Sequence, residues 1–280
     1  MNVSPDPTIP KLFVRRFALP ERLLHGCLMI SFLGLSLTGL PLFFSDAAWA
    51  RTMSALFGGY GVTGSLHRFF GAIMIATFST HVARLVKRLY IDKDLGILWG
   101  PDSLVPQPRD ILQVVQHFRY FVGLGPRPRF DRFTYWEKFD YWAVFWGMGI
   151  IGTSGLMLWL PGLFAKVLPG WVFNVAFLVH GEEALLAMVF IFTIHFFNSH
   201  LRPEVFPMDT VMFTGRLRVE QMAHERPAEH ERRRAAGTIE PQLVPAGRPQ
   251  ALLIGRLIGT LAVILGLIMV VLTLYAVLTS

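Results

Sequence analysis

Five long apolar segments constrain this chain more than any other feature of its sequence. They cover Leu23–Phe44, Gly64–Val86, Phe139–Leu160, Trp171–Phe197 and Ala251–Leu278. As α-helix, each is long enough to cross the roughly 30 Å hydrocarbon layer of a membrane. Charged residues make up only 16% of the chain, against about 25% in soluble domains, and they are gathered in the connecting segments. We therefore predict an all-α integral membrane protein with five transmembrane helices.

The distribution of positive charge predicts how these helices are oriented. Of the 26 Lys and Arg residues, four lie in residues 1–22, ten from Arg84 to Lys138 and nine from Arg202 to Arg256. The three that remain for the opposite face are Arg51, Arg68 and Lys166. Because cytoplasmic loops carry an excess of cations, we expect the N-terminus and both long loops to be cytoplasmic and the C-terminus to lie outside. This topology, together with binding to anionic membrane lipid, explains the net charge of +7 without a nucleic-acid partner.

The same segments predict the order of parts along the chain. Residues 1–22 form a cytoplasmic lead, and residues 23–200 form a four-helix transmembrane domain that includes a cytoplasmic loop at 89–138. In this loop, Asp110–Arg119 is typical of a short amphipathic helix that lies along the membrane. Residues 201–250 are polar and are expected to form a partly disordered cytoplasmic linker, and residues 251–280 form the fifth helix.

The spacing of histidines predicts the chemistry. His67 and His81 lie near the two ends of the second apolar segment, and His180 and His195 near those of the fourth. Separations of fourteen and fifteen residues correspond to about 21 and 22 Å of helix rise, and both return to nearly the same helix face. Neutral imidazole is a good axial ligand for haem iron. Two such helices side by side would therefore hold haem near each membrane surface.

The alternating directions of the helices assign each histidine to a depth. His67 and His180 share the outer level and would form one pair of haem ligands. The inner level has four candidates, which are His25, His81, His195 and His200. This number fits one inner haem with two spare imidazoles, or two inner haems, so the predicted total is two or three. With one cysteine and no Cys-x-x-Cys-His motif, the haem must be of the non-covalent b type.

A second class of protein stays open at this point. A histidine within a membrane helix is also typical of a hydrogen-bonded core residue or a proton relay. Glu182 and Glu183, inside the fourth segment, would suit a proton route. On this hypothesis the chain is a haem-free membrane anchor or a transporter.

Short motifs surround the candidate ligands. In chain order they are Arg22-Leu-Leu-His25, Leu66-His67-Arg-Phe-Phe-Gly71, Glu137-Lys138, Tyr141-Trp142, Ser154-Gly155, Leu178-Val-His180 and Ile194-His195. Together they resemble the cytochrome b (gamma) subunit of membrane-bound formate dehydrogenase and the wider di-haem cytochrome b family of respiratory oxidoreductases. The resemblance covers roughly residues 13–200 and does not include the fifth segment.

The resemblance implies roles for particular residues. His67 and His180 would bind the outer haem, and His25 with His195 the inner one. A menaquinone or ubiquinone site would lie near the inner haem and the start of the third helix. The candidates for quinone binding or proton delivery there are Thr134, Tyr135, Glu137 and Lys138. Thr134 replaces an asparagine of the family, and an ordinary charged helix start is the alternative interpretation of this set.

The resemblance also implies an electron-transfer subunit of a respiratory complex. Electrons would pass through stacked b-type haems between a periplasmic partner and the quinone pool, with substrate catalysis in the partner. An iron–sulfur subunit and a multihaem c-type cytochrome both fit that partner, and a haem conduit without a quinone site is an alternative. The spacing of the two histidines in the fourth segment is one residue longer than in formate dehydrogenase. The spacings of fourteen and fifteen residues are also similar to those in cytochrome b of bc and b6f complexes, and on that alternative His81 would pair with His195. A third haem held by His81 and His200 would use all six histidines.

Overall fold

Five helices of the computed structural model, which describes residues 12–279, are long and apolar enough to cross a membrane. We call them spans 1 to 5, and they run Leu19–Phe43, Tyr60–Tyr90, Tyr135–Trp159, Trp171–Leu201 and Pro249–Thr279. The predicted class, an all-α integral membrane protein with four helices and a fifth at its C-terminal end, is confirmed. Of the predicted N-terminal lead, residues 1–11 lie outside the described part.

The described elements are mostly helices, and their lengths differ widely. The helices are α1 (Leu19–Phe43), α2 (Ala48–Leu56), α3 (Tyr60–Tyr90), α4 (Pro108–Phe121), α5 (Tyr135–Gly147), α6 (Thr153–Trp159), α7 (Pro161–Phe164), α8 (Trp171–Phe190), α9 (Val211–Thr214), α10 (Val219–Glu225), α11 (Pro227–Ala235) and α12 (Pro249–Thr279). The strands are β1 (Phe13–Arg15), β2 (Arg216–Arg218) and β3 (Leu243–Val244), and short 3-10 turns cover Leu95–Ile97 and Glu240–Gln242.

Spans 3 and 4 change their helical pitch along the way. Span 3 is α5 and α6 joined by a π-helical turn at Met148–Gly152. Span 4 is α8 followed by π-helical turns at Ile191–His195 and Phe197–Leu201. A π-helical turn rotates the side chains that follow it relative to an α-helix, and such turns are frequent at functional sites.

The chain divides into two compact units. The first, here called the membrane unit, comprises residues 23–87, 142–209 and 256–279. Its apolar core is formed by spans 1, 4 and 5, and its buried members are Leu40, Met188, Phe192, Phe196, Ala262 and Met269. Gly266 of span 5 faces the rings of Phe192 and Phe196. Since glycine carries no side chain, span 5 packs closely against span 4 at this level.

The second unit, here called the polar unit, comprises residues 12–22, 88–141 and 210–255. Strand β1 lies between β2 and β3 and is antiparallel to both, with Val14 opposite Leu217 and Leu243. Val14 and Leu217 are buried with Met222 and Ile239 in a small apolar core. Residues 201–250 thus carry helices and strands, in contrast to the partly disordered linker expected from their composition.

Buried ion pairs explain why this charged segment is ordered. Glu229 is fully buried, and its carboxylate accepts hydrogen bonds from Arg16 at 2.8 Å and Arg233 at 3.2 Å, with Arg132 at 3.6 Å. Burial and the nearby Arg226 lower the pKa of Arg16 to about 9, while Glu229 opposes that change. Arg16 therefore stays charged at neutral pH and depends on the carboxylate of Glu229 for compensation.

The amphipathic helix predicted at Asp110–Arg119 is present as α4. Its start is capped because the backbone N–H of Gln107 donates to Asp110 Oδ2 at 2.6 Å. Beyond its end, Gly123 adopts a left-handed conformation with a φ of 74°. The exposed apolar side chains on α4 include Ile111, Leu112, Val115 and Phe118, which share one face of the helix. This exposed face is the one that the amphipathic pattern predicted to lie along the membrane.

A candidate paired-histidine site

The outer histidines, His67 of span 2 and His180 of span 4, meet inside the membrane unit. Their ring centroids are 6.2 Å apart, and the ring planes lie 85° to each other. Both side chains are half-buried. The structure therefore brings together the two residues that sequence depth had paired.

The Nδ1 atom of His67 is held by span 1. Thr38 Oγ1 lies 3.1 Å from this nitrogen and is itself 2.6 Å from the carbonyl oxygen of Gly34. Because a carbonyl only accepts, the Thr38 hydroxyl donates its hydrogen to Gly34, and its oxygen is left to accept from His67. Nδ1 of His67 therefore carries the hydrogen, and Nε2 has a free lone pair.

The Nδ1 atom of His180 is held in the same way by span 3. It lies 3.0 Å from the carbonyl oxygen of Ile151 and 3.2 Å from Ser154 Oγ. The Ser154 hydroxyl donates to the carbonyl of Ile150 at 2.7 Å. Both neighbours of the His180 nitrogen are thus acceptors, and Nε2 of this ring is again the nitrogen free to bind a metal.

A hydroxyl residue followed by glycine lies beside each outer histidine. The pairs are Thr38-Gly39 on span 1 and Ser154-Gly155 on span 3. A Cβ placed on Gly39 would be 3.1 Å from Cε1 of His67, and one on Gly155 would be 2.9 Å from Cε1 of His180. Only glycine leaves the rings this room. Sequence reasoning noted Ser154-Gly155 through the family motif but missed Thr38-Gly39, for which the same short pattern was the available signal.

The separation of the two rings fits two ligands on one metal ion. A metal–imidazole bond is about 2 Å long, so two imidazoles that would share one ion have ring centres roughly 6 Å apart. The observed 6.2 Å agrees with this value. In residues 12–279 no group of three or more His, Cys, Asp or Glu could hold a metal ion. A bis-histidine haem needs only two protein ligands, so the outer pair fits that cofactor.

The inner histidines form a second group in the membrane unit. His25 of span 1 lies near His195 and His200 of span 4. Five residues of α-helix would turn His200 about 140° away from His195. The π-helical turn at Phe197–Leu201 reduces that angle, because five residues then make little more than one turn. His25 therefore has two neighbouring imidazoles on span 4 rather than one.

Two of the inner candidates, His200 and His81, differ in their surroundings. The Nδ1 atom of His200 is buried and has no hydrogen-bond partner in the described part of the chain. The ring of His200 packs edge-to-face on Phe196, with centroids 5.5 Å apart. His81 lies against Phe145 of span 3, with centroids 6.1 Å apart.

The four quinone candidates form contacts within the polar unit. The backbone N–H and hydroxyl of Thr134 both donate to Glu137 Oε2 at 2.8 Å. Glu137 also pairs with Arg226 at 2.7 Å, and Tyr135 Oη lies 3.0 Å from His117 Nδ1. Two hydrogen bonds of 2.9 and 2.8 Å join Lys138 Nζ to the carboxylate of Asp110.

These contacts indicate which of the four residues have groups available for quinone binding or proton delivery. Thr134 and Glu137 form the capped start of span 3. This agrees with the alternative interpretation of the four residues as an ordinary charged helix start. Lys138 is 2% exposed, so its ammonium is fully committed to Asp110. Tyr135, which is half-buried, is the candidate whose hydroxyl contacts another titratable ring.

The fold is that of a multi-pass helical membrane protein in which imidazoles from two different spans meet. No family model matches the chain. It is 24% identical over 184 residues to the formate dehydrogenase, cytochrome b556(fdo) subunit of Escherichia coli (strain K12), which covers 66% of this chain and 77% of the relative. It is 23% identical over 171 residues to the formate dehydrogenase, cytochrome b556 subunit of Haemophilus influenzae, which covers 61% of this chain and 64% of the relative. The resemblance predicted from the motifs, to the cytochrome b subunit of formate dehydrogenase, is confirmed by these relatives.

Proposed function

We propose that this protein is a membrane cytochrome b subunit that transfers electrons through stacked b-type haems between a periplasmic redox partner and the quinone pool near the cytoplasmic face. The observation that carries the proposal is the separation of 6.2 Å between the rings of His67 and His180, which suits two ligands of one iron. The similarity to cytochrome b556 subunits of formate dehydrogenase supports it independently.

Haem bound between the outer histidines would supply a one-electron iron couple inside the membrane. His67 and His180 present Nε2 to it, and the acceptors at their Nδ1 atoms fix the tautomer and the ring orientation. His25 and His195 are the proposed ligands of the inner haem, with His200 as the alternative partner of His25. Along span 4, His180 and His195 are separated by roughly 20 Å of helix rise.

The proposed partners follow from the similarity and the charge distribution. The relatives are named as subunits of formate dehydrogenase, so we propose a periplasmic iron–sulfur subunit, or alternatively a multihaem c-type cytochrome, as the electron donor or acceptor. Substrate catalysis would belong to that partner. The similarity to subunits of Escherichia coli and Haemophilus influenzae supports a bacterial inner membrane. The excess of cations in the N-terminus and both long loops supports a cytoplasmic N-terminus and a periplasmic C-terminus.

Haem stoichiometry tests the central proposal. The full chain is expressed with ample haem supply and purified in detergent, and the pyridine haemochrome is measured per polypeptide. A ratio near two is expected, and a ratio near three would add a haem at His81 and His200. Purified chain without b-type absorbance would refute electron transfer and favour the proton-relay membrane protein.

Single substitutions then test the ligand pairs. His67→Ala and His180→Ala should remove the same haem, because each takes one axial ligand from the outer pair. His25→Ala should remove the other haem, and the comparison of His195→Ala with His200→Ala identifies its second ligand. His230→Ala, in the polar unit, is the matched control and should leave the ratio unchanged. A His67 variant that keeps both haems would contradict the outer assignment.

The quinone site is a separate part of the proposal. Menaquinol or ubiquinol is added to the haem-loaded chain in liposomes, and the rate of haem reduction is followed optically. We expect Tyr135→Phe to slow this reduction while it leaves the haem ratio unchanged. A conduit without a quinone site is favoured by the internal contacts of Glu137 and Lys138, and it would show no reduction that a quinone-site inhibitor blocks.

A further inference from the structure

We infer that Thr38 and Ser154 are positioning residues that set the ring orientation and the reduction potential of the outer histidine site. This inference rests on the proposed function, because it concerns the haem that His67 and His180 would hold. Each hydroxyl lies at hydrogen-bond distance from the Nδ1 atom of one of these two rings. Each acts through the Nδ1 atom of the neighbouring imidazole.

The hydrogen-bond directions are fixed by the helix backbone. The hydroxyls of Thr38 and Ser154 each bond to the carbonyl four residues earlier, at 2.6 and 2.7 Å. These bonds occupy the only hydrogen that each hydroxyl carries, so the lone pairs that face the histidines accept. A hydroxyl without such a back-bond could rotate and donate instead, which would place the lone pair of histidine on the wrong nitrogen.

The arrangement occurs twice in the membrane unit. Spans 1 and 2 contribute Thr38, Gly39 and His67, and spans 3 and 4 contribute Ser154, Gly155 and His180. In each case the hydroxyl back-bonds to its own helix, and the next residue is the glycine against which the ring lies. The same combination of hydroxyl, glycine and imidazole thus occurs at both proposed ligands of one site, which supports a common role.

This geometry has two consequences for a bound iron. An acceptor at Nδ1–H makes the imidazole a stronger electron donor, which stabilises the oxidised iron and lowers the reduction potential. Each acceptor also resists rotation of its ring, so the two ring planes stay near the observed 85°. Nearly perpendicular axial imidazoles give low-spin ferric haem a highly anisotropic electron paramagnetic resonance signal, whereas parallel ones give a rhombic signal.

The two hydroxyls should not be equally important. His180 Nδ1 has the carbonyl of Ile151 at 3.0 Å in addition to Ser154 at 3.2 Å, so it keeps a good acceptor when Ser154 is removed. For His67, the hydroxyl of Thr38 at 3.1 Å is the acceptor at hydrogen-bond distance, and the backbone carbonyl of Leu35 is a weaker neighbour. Loss of the Thr38 hydroxyl should therefore perturb the site more than loss of the Ser154 hydroxyl.

The experiment compares four variants of the full chain, purified with haem. Thr38→Val removes the hydroxyl at nearly constant volume, Thr38→Ser keeps it, and Ser154→Ala removes the second hydroxyl. Thr273→Val is the matched control, because Thr273 is a buried, back-bonded threonine of span 5 whose hydroxyl bonds to Met269. For each protein we measure the haem ratio, the potentiometric midpoints and the ferric resonance spectrum.

In Thr38→Val we expect the reduced-to-oxidised ratio of the outer haem at a fixed potential to rise by up to about tenfold, which is 59 mV for one electron. The highly anisotropic signal should weaken in the same variant. Ser154→Ala should show a smaller change, and Thr38→Ser and Thr273→Val none. Loss of the outer haem in Thr38→Val but not in Thr38→Ser would support the same role.

Two outcomes overturn the inference, and they are distinguishable. Wild-type chain without haem would refute the proposed function and the inference with it. Wild-type chain with haem, and a Thr38→Val variant with unchanged midpoints and spectrum, would refute only the role of the hydroxyls. Equal loss of the outer haem in Thr38→Val and Thr38→Ser would also count against it, since packing of the methyl group would then be responsible.

Discussion

Substitution of Gly155 by alanine is the sharpest steric test of the outer site. The added Cβ would lie 2.9 Å from Cε1 and 3.3 Å from Nδ1 of His180. Ordinary contacts between carbon atoms are about 3.5–4.0 Å, so the ring must move by at least about 0.5 Å. That movement changes the position of the His180 ring relative to His67 and stretches the hydrogen bond to Ile151.

The cost can be estimated from studies of overpacked cores. Extra methyl groups in packed interiors cost about 1–3 kcal/mol. If the whole of this cost falls on the state with both histidines in place, haem affinity at the outer site falls about 5- to 150-fold. Gly39→Ala should have a smaller effect, because its Cβ would be 3.1 Å from Cε1 of His67.

The assay is the haem ratio of the purified chain under limiting haem supply, with the midpoints measured on the same samples. Gly155→Ala should lower the ratio from two towards one and remove the haem assigned to His67 and His180. Gly149→Ala is the control on the same span, since a Cβ there would meet nothing within 4 Å. If Gly155→Ala binds outer haem as tightly as Gly149→Ala, the placement of the His180 ring against span 3 is wrong.

Two further predictions concern stability, measured by thermal unfolding in detergent. Glu229→Gln should destabilise the polar unit by about 3–5 kcal/mol, because it leaves buried Arg16 and Arg233 without their carboxylate. The control, Glu231→Gln, removes a solvent-exposed partner of Arg129 and should change the stability little. Equal melting curves for the two variants would contradict the buried network. Phe192→Ala should destabilise the membrane unit by about 3–5 kcal/mol, because Phe192 is 1% exposed and packs between Phe32 and Phe196. Phe177→Ala, at a position 64% exposed, is its control, and a similar loss in both would refute the assignment of this core.

The outer and inner histidine groups differ in how completely the protein arranges them. Each outer ring has an acceptor at Nδ1 and a glycine beside it. At the inner level, His25 interacts with two imidazoles of span 4, and the buried Nδ1 of His200 lacks a partner in the described chain. The substitution series at His195 and His200 is therefore the measurement that decides the inner ligands.

The sequence alone determined the five helices that are long and apolar enough to cross a membrane, and it predicted a depth for each histidine. Backbone groups in a lipid bilayer must be hydrogen-bonded within the segment, so an apolar run of this length has helix as its stable form. Once the segments are helices, the spacing of His67, His81, His180 and His195 fixes their faces and levels. The family motifs added expected roles, and the relatives agree with the resemblance they indicated.

Tertiary structure decided which groups meet, because contacts between spans depend on helix rotation and packing that local patterns do not encode. It put Thr38 against His67 and Ser154 against His180, and its π-helical turn brought His200 beside His195 in the surroundings of His25. It also ordered residues 201–250, where composition indicated partial disorder. Composition counts charges but not their partners, and here the fully buried Glu229 gathers arginines from separate parts of the chain into one compact unit.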